Sequence, residues 1–130
     1  MPPTAFNFLN FMRNITLIIG KKWAGKSKWI LEKKDEMLSE GWRQIDSVNE
    51  KDRNTAIFAL KSPTDEVAVL NSGSDQKKII KKFGTFLAQH KETSRIFTAI
   101  RPKNINPRLH SWMITELNIQ KDDIIERIEL

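Results

Sequence analysis

A chain of 130 residues gives one domain with a sizeable core and leaves little room for a lid or a second substrate domain. It has no cysteine, which removes disulfides and thiolate metal sites and suits a cytoplasmic protein, and no apolar run is long enough for a membrane-spanning helix. The net charge of +6 favours polyanionic partners, nucleotides and nucleic acid among them.

Residues 1–13 carry Phe6, Phe8, Leu9, Phe11 and Met12 without a basic segment ahead of them or an A-x-A-like cleavage site. They are therefore expected to form an arm packing its aromatics on a single domain of residues 14–130, not a signal peptide. Asn14 to Ile19 is a short, β-branched apolar run and predicts a buried parallel strand.

Gly20-Lys21-Lys22-Trp23-Ala24-Gly25-Lys26-Ser27 follows immediately and fits G-x-x-x-x-G-K-[ST], the Walker A pattern. In such a loop successive backbone N–H groups face a phosphate, and the next helix adds unpaired N–H donors and a partial positive charge. Gly20 and Gly25 permit backbone conformations and close approaches that a Cβ would hinder. Lys26 would reach the β- and γ-phosphates, and the Ser27 hydroxyl would ligate Mg²⁺. Lys21 and Lys22 could add to anion binding. Trp23, a bulky aromatic in a tight loop, could stack on a base, shield the site, touch a partner or pack on a neighbouring loop. On these eight residues the chain resembles the P-loop NTPase superfamily.

A helix is predicted from Ser27 to about Ser39 or Glu40, with Ile30, Leu31, Met37 and Leu38 on one stripe and the stem of Lys34 beside them. Gly41 is placed to close it, with Trp42 covering the end of the core. A weaker strand could lie near Arg43 to Val48. Thr55 to Leu60 and Glu66 to Leu70 predict two strands joined by a turn too short for a crossover helix, hence one antiparallel hairpin.

The polar loop Asn71 to Asp75 comes next, with Ser74 or Asp75 as the expected cap of a helix carrying Ile79, Ile80, Phe83, Phe86 and Leu87 on one face. Lys77, Lys78, Lys81 and Lys82 fall on its polar side. They have no interleaved aromatics, and a solvated helix face is expected there. Arg95 to Ile100 predicts a strand. Asn106-Pro107 opens a helix bearing Leu109, Trp112, Met113 and Leu117, and Asp123 to Leu130 closes the chain as a strand.

Strands alternating with helices predict an α/β fold: a mostly parallel sheet with helices on both faces, a P-loop-type three-layer sandwich with one hairpin. P-loop enzymes commonly add an acid at a strand end to help hold Mg²⁺. Here the strand ending at Leu70 is followed by the uncharged Asn71, so Asp75 is the better candidate for the metal or the attacking water, with Asn71 still able to hold a metal-bound water. Arg101, after another strand, could stabilise charge on the γ-phosphate, or be a solvated surface arginine, the more ordinary expectation. His90 and His110 have no metal or nucleophile spacing and are expected to be structural. The hairpin resembles the order in small GTPases, but their D-x-x-G would need Asp at Asn71 and Gly at Ser74. Arg101 to Asn104 does not match N-K-x-D either, and no motif marks an oligomeric state.

The expected function is Mg²⁺-dependent binding of ATP or another nucleoside triphosphate, with hydrolysis or phosphoryl transfer, and with Lys26, Asp75 and Arg101 as the catalytic set. The alternative is a non-catalytic nucleotide-binding or nucleic-acid-associated module.

Overall fold

Short aliphatic runs form the middle of the sheet because they have apolar side chains on both faces. β1 (Asn14–Ile19) leads, through a loop, into α1 (Lys26–Ser39), and then come β2 (Arg43–Val48), β3 (Ile57–Lys61) and β4 (Val67–Asn71). After α2 (Lys77–Gln89) follow β5 (Thr93–Ile100), α3 (Pro107–Leu117) and β6 (Ile124–Glu129). The computed structural model, which describes residues 12–130, joins the strands in the order β2-β3-β4-β5-β1-β6. The expected packing of the aromatic arm lies outside the described residues. Arg13, the last residue assigned to that arm, is fixed to the domain.

β1 pairs in parallel with β5 and β6, and β4 pairs in parallel with β5. β3 is antiparallel to both β2 and β4, so it alone runs against the rest. The sheet is therefore mixed, and the expected hairpin is part of a three-stranded meander. β2 is faint in the sequence because it is an edge. Its residues are exposed or half-buried, so Arg43, Gln44 and Asp46 can occupy it.

Alternate side chains along the strands feed two separate cores. On one face Ile57 and Ala59 join Ile15, Leu17, Val69, Ile96 and Ile100 beneath Ile80, Phe83 and Phe86 of α2 and Met113 and Leu117 of α3. On the other, Phe58 and Leu60 join Ile18 and Leu70 beneath Ile30 and Met37 of α1. Lys34 extends the α1 stripe as expected, its Nζ lying 4.1 Å from the centre of the Phe58 ring. No helix among the described residues is long and apolar enough to cross a membrane.

The helix ends follow local rules at Gly41 and Pro107, but none of the three described helices has a side-chain N-cap bond, the expected cap Asn106 included. Gly41, at φ +102°, closes α1: its N–H donates to the Leu38 carbonyl (3.2 Å), and the Trp42 N–H donates to that of Met37 (3.1 Å). Trp42 packs on the α1 core. Pro107 opens α3 after Asn106, as predicted. The cap of α2 differs from expectation. Its N-cap is Gln76, with no side-chain cap bond, because Asp75 is drawn to two cations instead.

At the opposite end of the sheet, the Arg13 guanidinium donates to both carboxylate oxygens of Asp123 (3.2 and 2.6 Å) and to the Leu117 carbonyl (2.9 Å). Burial pushes the Asp123 carboxyl up, but hydrogen bonds from Arg13 and the Gln120 N–H outweigh it and hold the group below its reference value of 3.8. A depressed folded pKa contributes stability above pH 3.8 that is lost as the pH falls through the folded value. Urea unfolding between about pH 5 and pH 2 should therefore show wild type losing more stability than Asp123→Asn, which has no such carboxylate to titrate. Equal acid losses would reject the assignment.

Candidate functional site

Because β1, β4 and β5 are parallel, the loops that follow them emerge at one edge of the sheet. β3 runs the other way, so the residues preceding it, Asn54 to Ala56, arrive at the same edge. Here neighbouring strands also part company. β1 sends α1 to one face and β5 sends α3 to the other, which opens a crevice beyond their carboxyl ends. The Gly20 N–H donates to the Ile100 carbonyl (3.2 Å) and ties the two strand ends together.

The two loop glycines are required for different reasons. Gly25 has φ +100° and turns the chain directly into α1. At Gly20 a Cβ would sit 2.9 Å from the Cβ of Ala24 and 3.1 Å from Cγ of Lys26, so the loop could not close. Trp23 is also left-handed, at φ +72°, and its side chain is 86% exposed. Its ring takes no part in the core and stands at the rim, with Lys22 Nζ 5.3 Å from its centre. The first turn of α1 holds no acidic residue and has no side-chain cap.

Lys26 is buried and folds back over the loop. Its ammonium donates to the carbonyls of Gly20 (2.7 Å) and Lys21 (3.0 Å) and lies 3.8 Å from Asp75 Oδ1. Burial pushes the group below the usual lysine range, Asp75 opposes that, and Arg101 adds to it. Asp75 Oδ1 also accepts a hydrogen bond from Arg101 Nη1 at 3.1 Å. The carboxylate thus links two cations contributed by loops that follow different strands. Arg101 is itself buried, which overturns the expectation of a solvated surface arginine, and its Nε has no hydrogen-bond partner among the described residues. His110 accompanies it, with Nδ1 2.9 Å from the Arg101 carbonyl oxygen.

Lys26, Asp75 and Arg101 are therefore brought together, whereas Asn71 is turned away. Asn71 is fully buried. Its amide donates to the Gly73 carbonyl (2.8 Å) and Thr98 Oγ1 (3.0 Å), and its Oδ1 accepts from the Gly73 N–H (3.1 Å). It braces the loop that delivers Asp75 and holds no group toward the crevice. The same loop is tightly packed. A Cβ on Gly73 would lie 2.3 Å from Cγ2 of Ile79 and 3.3 Å from Cα of Thr55. Gly73→Ala should cost about 1–3 kcal/mol, read as a lower midpoint in urea. An unchanged midpoint would show that the loop is looser than this packing implies.

A cleft of about 540 Å³ lies over the loop, with Lys22, Trp23, Gly25, Lys26 and Ser27 on one side and Arg53, Asn54 and Asp75 on the other. Sequence reasoning missed Arg53 and Asn54. The Ser27 hydroxyl donates to Asn54 Oδ1 (3.2 Å), and the Asn54 backbone N–H is held by Asp52 Oδ1 (3.0 Å). The reversed direction of β3 is the signal that would have placed them here. The Lys21 and Ala24 side chains do not line the cleft, and Arg101 reaches it through Asp75. Lys22, Lys26, Lys28 and Arg53 face a single carboxylate, Asp75, so the lining is strongly cationic. No group of three or more His, Asp or Glu side chains suited to a metal occurs among the described residues. No family model, curated protein or solved structure matches the chain.

Proposed function

We propose that this cleft binds a nucleoside triphosphate, ATP in the first instance, together with Mg²⁺, and hydrolyses it or transfers its γ-phosphoryl group within a P-loop-type α/β sandwich. The observation that carries the reading is the conformation of Gly20 to Ser27. Gly25 turns the loop into the uncapped start of α1, while Lys26 is held over the loop carbonyls by its burial and by Asp75.

In the bound state Lys26 exchanges two neutral carbonyls for phosphate oxygens, which are stronger, charged acceptors. Lys22, Lys28 and Arg53 add to the attraction, and the N–H groups at the start of α1 face the same space. The hard oxygens suited to Mg²⁺ are the Ser27 hydroxyl and the Asp75 carboxylate. A site with so few protein donors fits a cation that keeps waters and takes phosphate oxygens. When bound, the metal neutralises charge on the phosphates. Asp75 also orients the attacking water or acceptor. Arg101, whose Nε has no partner among the described residues, turns from Asp75 to the developing charge on the transferred group.

A second reading, binding without turnover, is favoured by a specific observation. Asp75 is the sole carboxylate lining the cleft, and Arg101 already engages it. The two readings separate in one experiment, thermal unfolding of wild type with Mg²⁺ and ATP or GTP alongside phosphate release. A stabilisation with release supports hydrolysis, and a stabilisation without release supports the binding module or a missing acceptor. Absence of any nucleotide-dependent shift would overturn both.

A further inference from the structure

Away from the cleft, α2 begins Lys77-Lys78-Ile79-Ile80-Lys81-Lys82, and all four lysines are exposed while Ile79 and Ile80 are buried. The helix contains no acidic residue, and none of the four lysines joins an ion pair among the described residues. Local helix chemistry argues against this arrangement. Lys77 with Lys81 and Lys78 with Lys82 are like charges one turn apart, and Lys77 and Lys78 sit in the first turn, at the positive end of the helix dipole. Only Lys77 finds an internal partner, the Trp112 ring 4.8 Å from its Nζ, and a local rule otherwise broken without compensation among the described residues points to a partner outside the fold.

The lysines border a groove of about 800 Å³ between α2 and the end of the edge strand β2 at Val48, with Thr85 and Gln89 continuing the lining and no acid in it. The nearest acid on β2, Asp46, is occupied by His90 Nε2 at 2.7 Å. We propose that this lysine-lined groove binds the phosphate backbone of nucleic acid without reading its sequence.

The chemistry of the surface selects that partner. The lysines are point charges on flexible stems, and successive pairs recur about 6 Å apart along the axis, which suits a polymer with an anion at every unit. A membrane surface would need an apolar edge to insert, yet Ile79, Ile80, Phe83 and Phe86 are all buried in the core. Trp112, 4.8 Å beneath Lys77 Nζ, is partly buried in the α2–α3 core and offers no free face for stacking bases.

The test is fluorescence anisotropy with a labelled mixed-sequence DNA duplex and no nucleotide present, so a failure of the triphosphate reading leaves the result interpretable. Four phosphate contacts predict a slope of about −3 to −4 in log affinity against log salt, roughly a 100-fold loss between 50 and 200 mM. Replacing all four lysines by glutamine should weaken binding at least tenfold at low salt and flatten the slope. Replacing them by arginine should preserve both, which guards against a folding defect in the first variant. The proposal is overturned if wild type fails to bind the duplex at 50 mM salt, or if the glutamine variant keeps its affinity and slope. Equally tight binding of polyglutamate, or preferential binding of phosphatidylserine vesicles, would also overturn it and assign the groove to an acidic protein or a lipid surface.

Discussion

If the cleft binds Mg²⁺ with ATP as proposed, Lys26→Ala should abolish the resulting stabilisation while leaving the unliganded protein folded. In wild type, a nucleotide at about 100 times its dissociation constant adds about 2.7 kcal/mol. The Lys26 ammonium would supply two hydrogen bonds to charged oxygens, worth about 1.5–3 kcal/mol each, so their loss predicts an affinity lower by at least two orders of magnitude. The cost to the empty fold is expected to be much smaller. Lys26 is buried with its charge disfavoured by that burial, and the carbonyls it serves, Gly20 and Lys21, belong to a loop at the cleft. Lys26→Met separates the two effects further, since it keeps the apolar stem against Gly20 and removes the charge. Thermal unfolding of the three proteins with and without Mg²⁺ and ATP makes the comparison. A variant shift as large as that of wild type would sink the assignment of Lys26 as the phosphate ligand.

The turn from β1 through Gly20 to Ser27 into α1 was readable in sequence because its requirements are local. Gly25 needs a left-handed conformation, Gly20 needs the absence of a Cβ, and the residues on either side carry strand and helix periodicities. The neighbours of the loop were not readable, because periodicity says what an element is and not what it lies beside. Asp75 could have capped α2, and its residue type favours that role, but Arg101, 26 residues away, draws the carboxylate in the other direction. Asn71 stands where a metal-binding acid was sought, and nothing in the sequence shows that its amide is consumed by Gly73 and Thr98. The contact between Ser27 and Asn54 follows from β3 being antiparallel, which the predicted hairpin already implied, but sequence does not say that the strand near Arg43 to Val48 pairs with β3 to complete a meander. The path of the chain from β5 over β1 to β6, which creates the crevice, is likewise a property of the whole sheet.

Phe83→Ala, some distance from the charged cleft, should cause one of the largest losses of stability from a single substitution. Phe83 is fully buried on the inner face of α2, in the core that also takes Ile80, Phe86 and Met113 against Ile15, Val69 and Ile96. Truncating a buried phenylalanine costs about 3–5 kcal/mol, since transfer energy and a cavity are both lost. For a domain whose whole stability is of order 5–15 kcal/mol, Phe83→Ala therefore removes a large fraction and should lower the melting temperature by roughly 10–20 °C. Phe83→Leu, which refills much of the volume, should cost about half as much or less. The same substitution also tests how the core supports the cleft. Ile79 packs beside Gly73, and α2 begins two residues after Asp75, so the packing of this helix on the sheet fixes where the carboxylate meets Lys26 and Arg101. Phe83→Ala at low temperature, where it remains folded, should weaken nucleotide-dependent stabilisation more than an equally destabilising change in the Arg13–Asp123 anchor at the opposite end of the sheet. If both weaken it equally, the cleft responds only to global stability, and α2 has no special part in positioning Asp75.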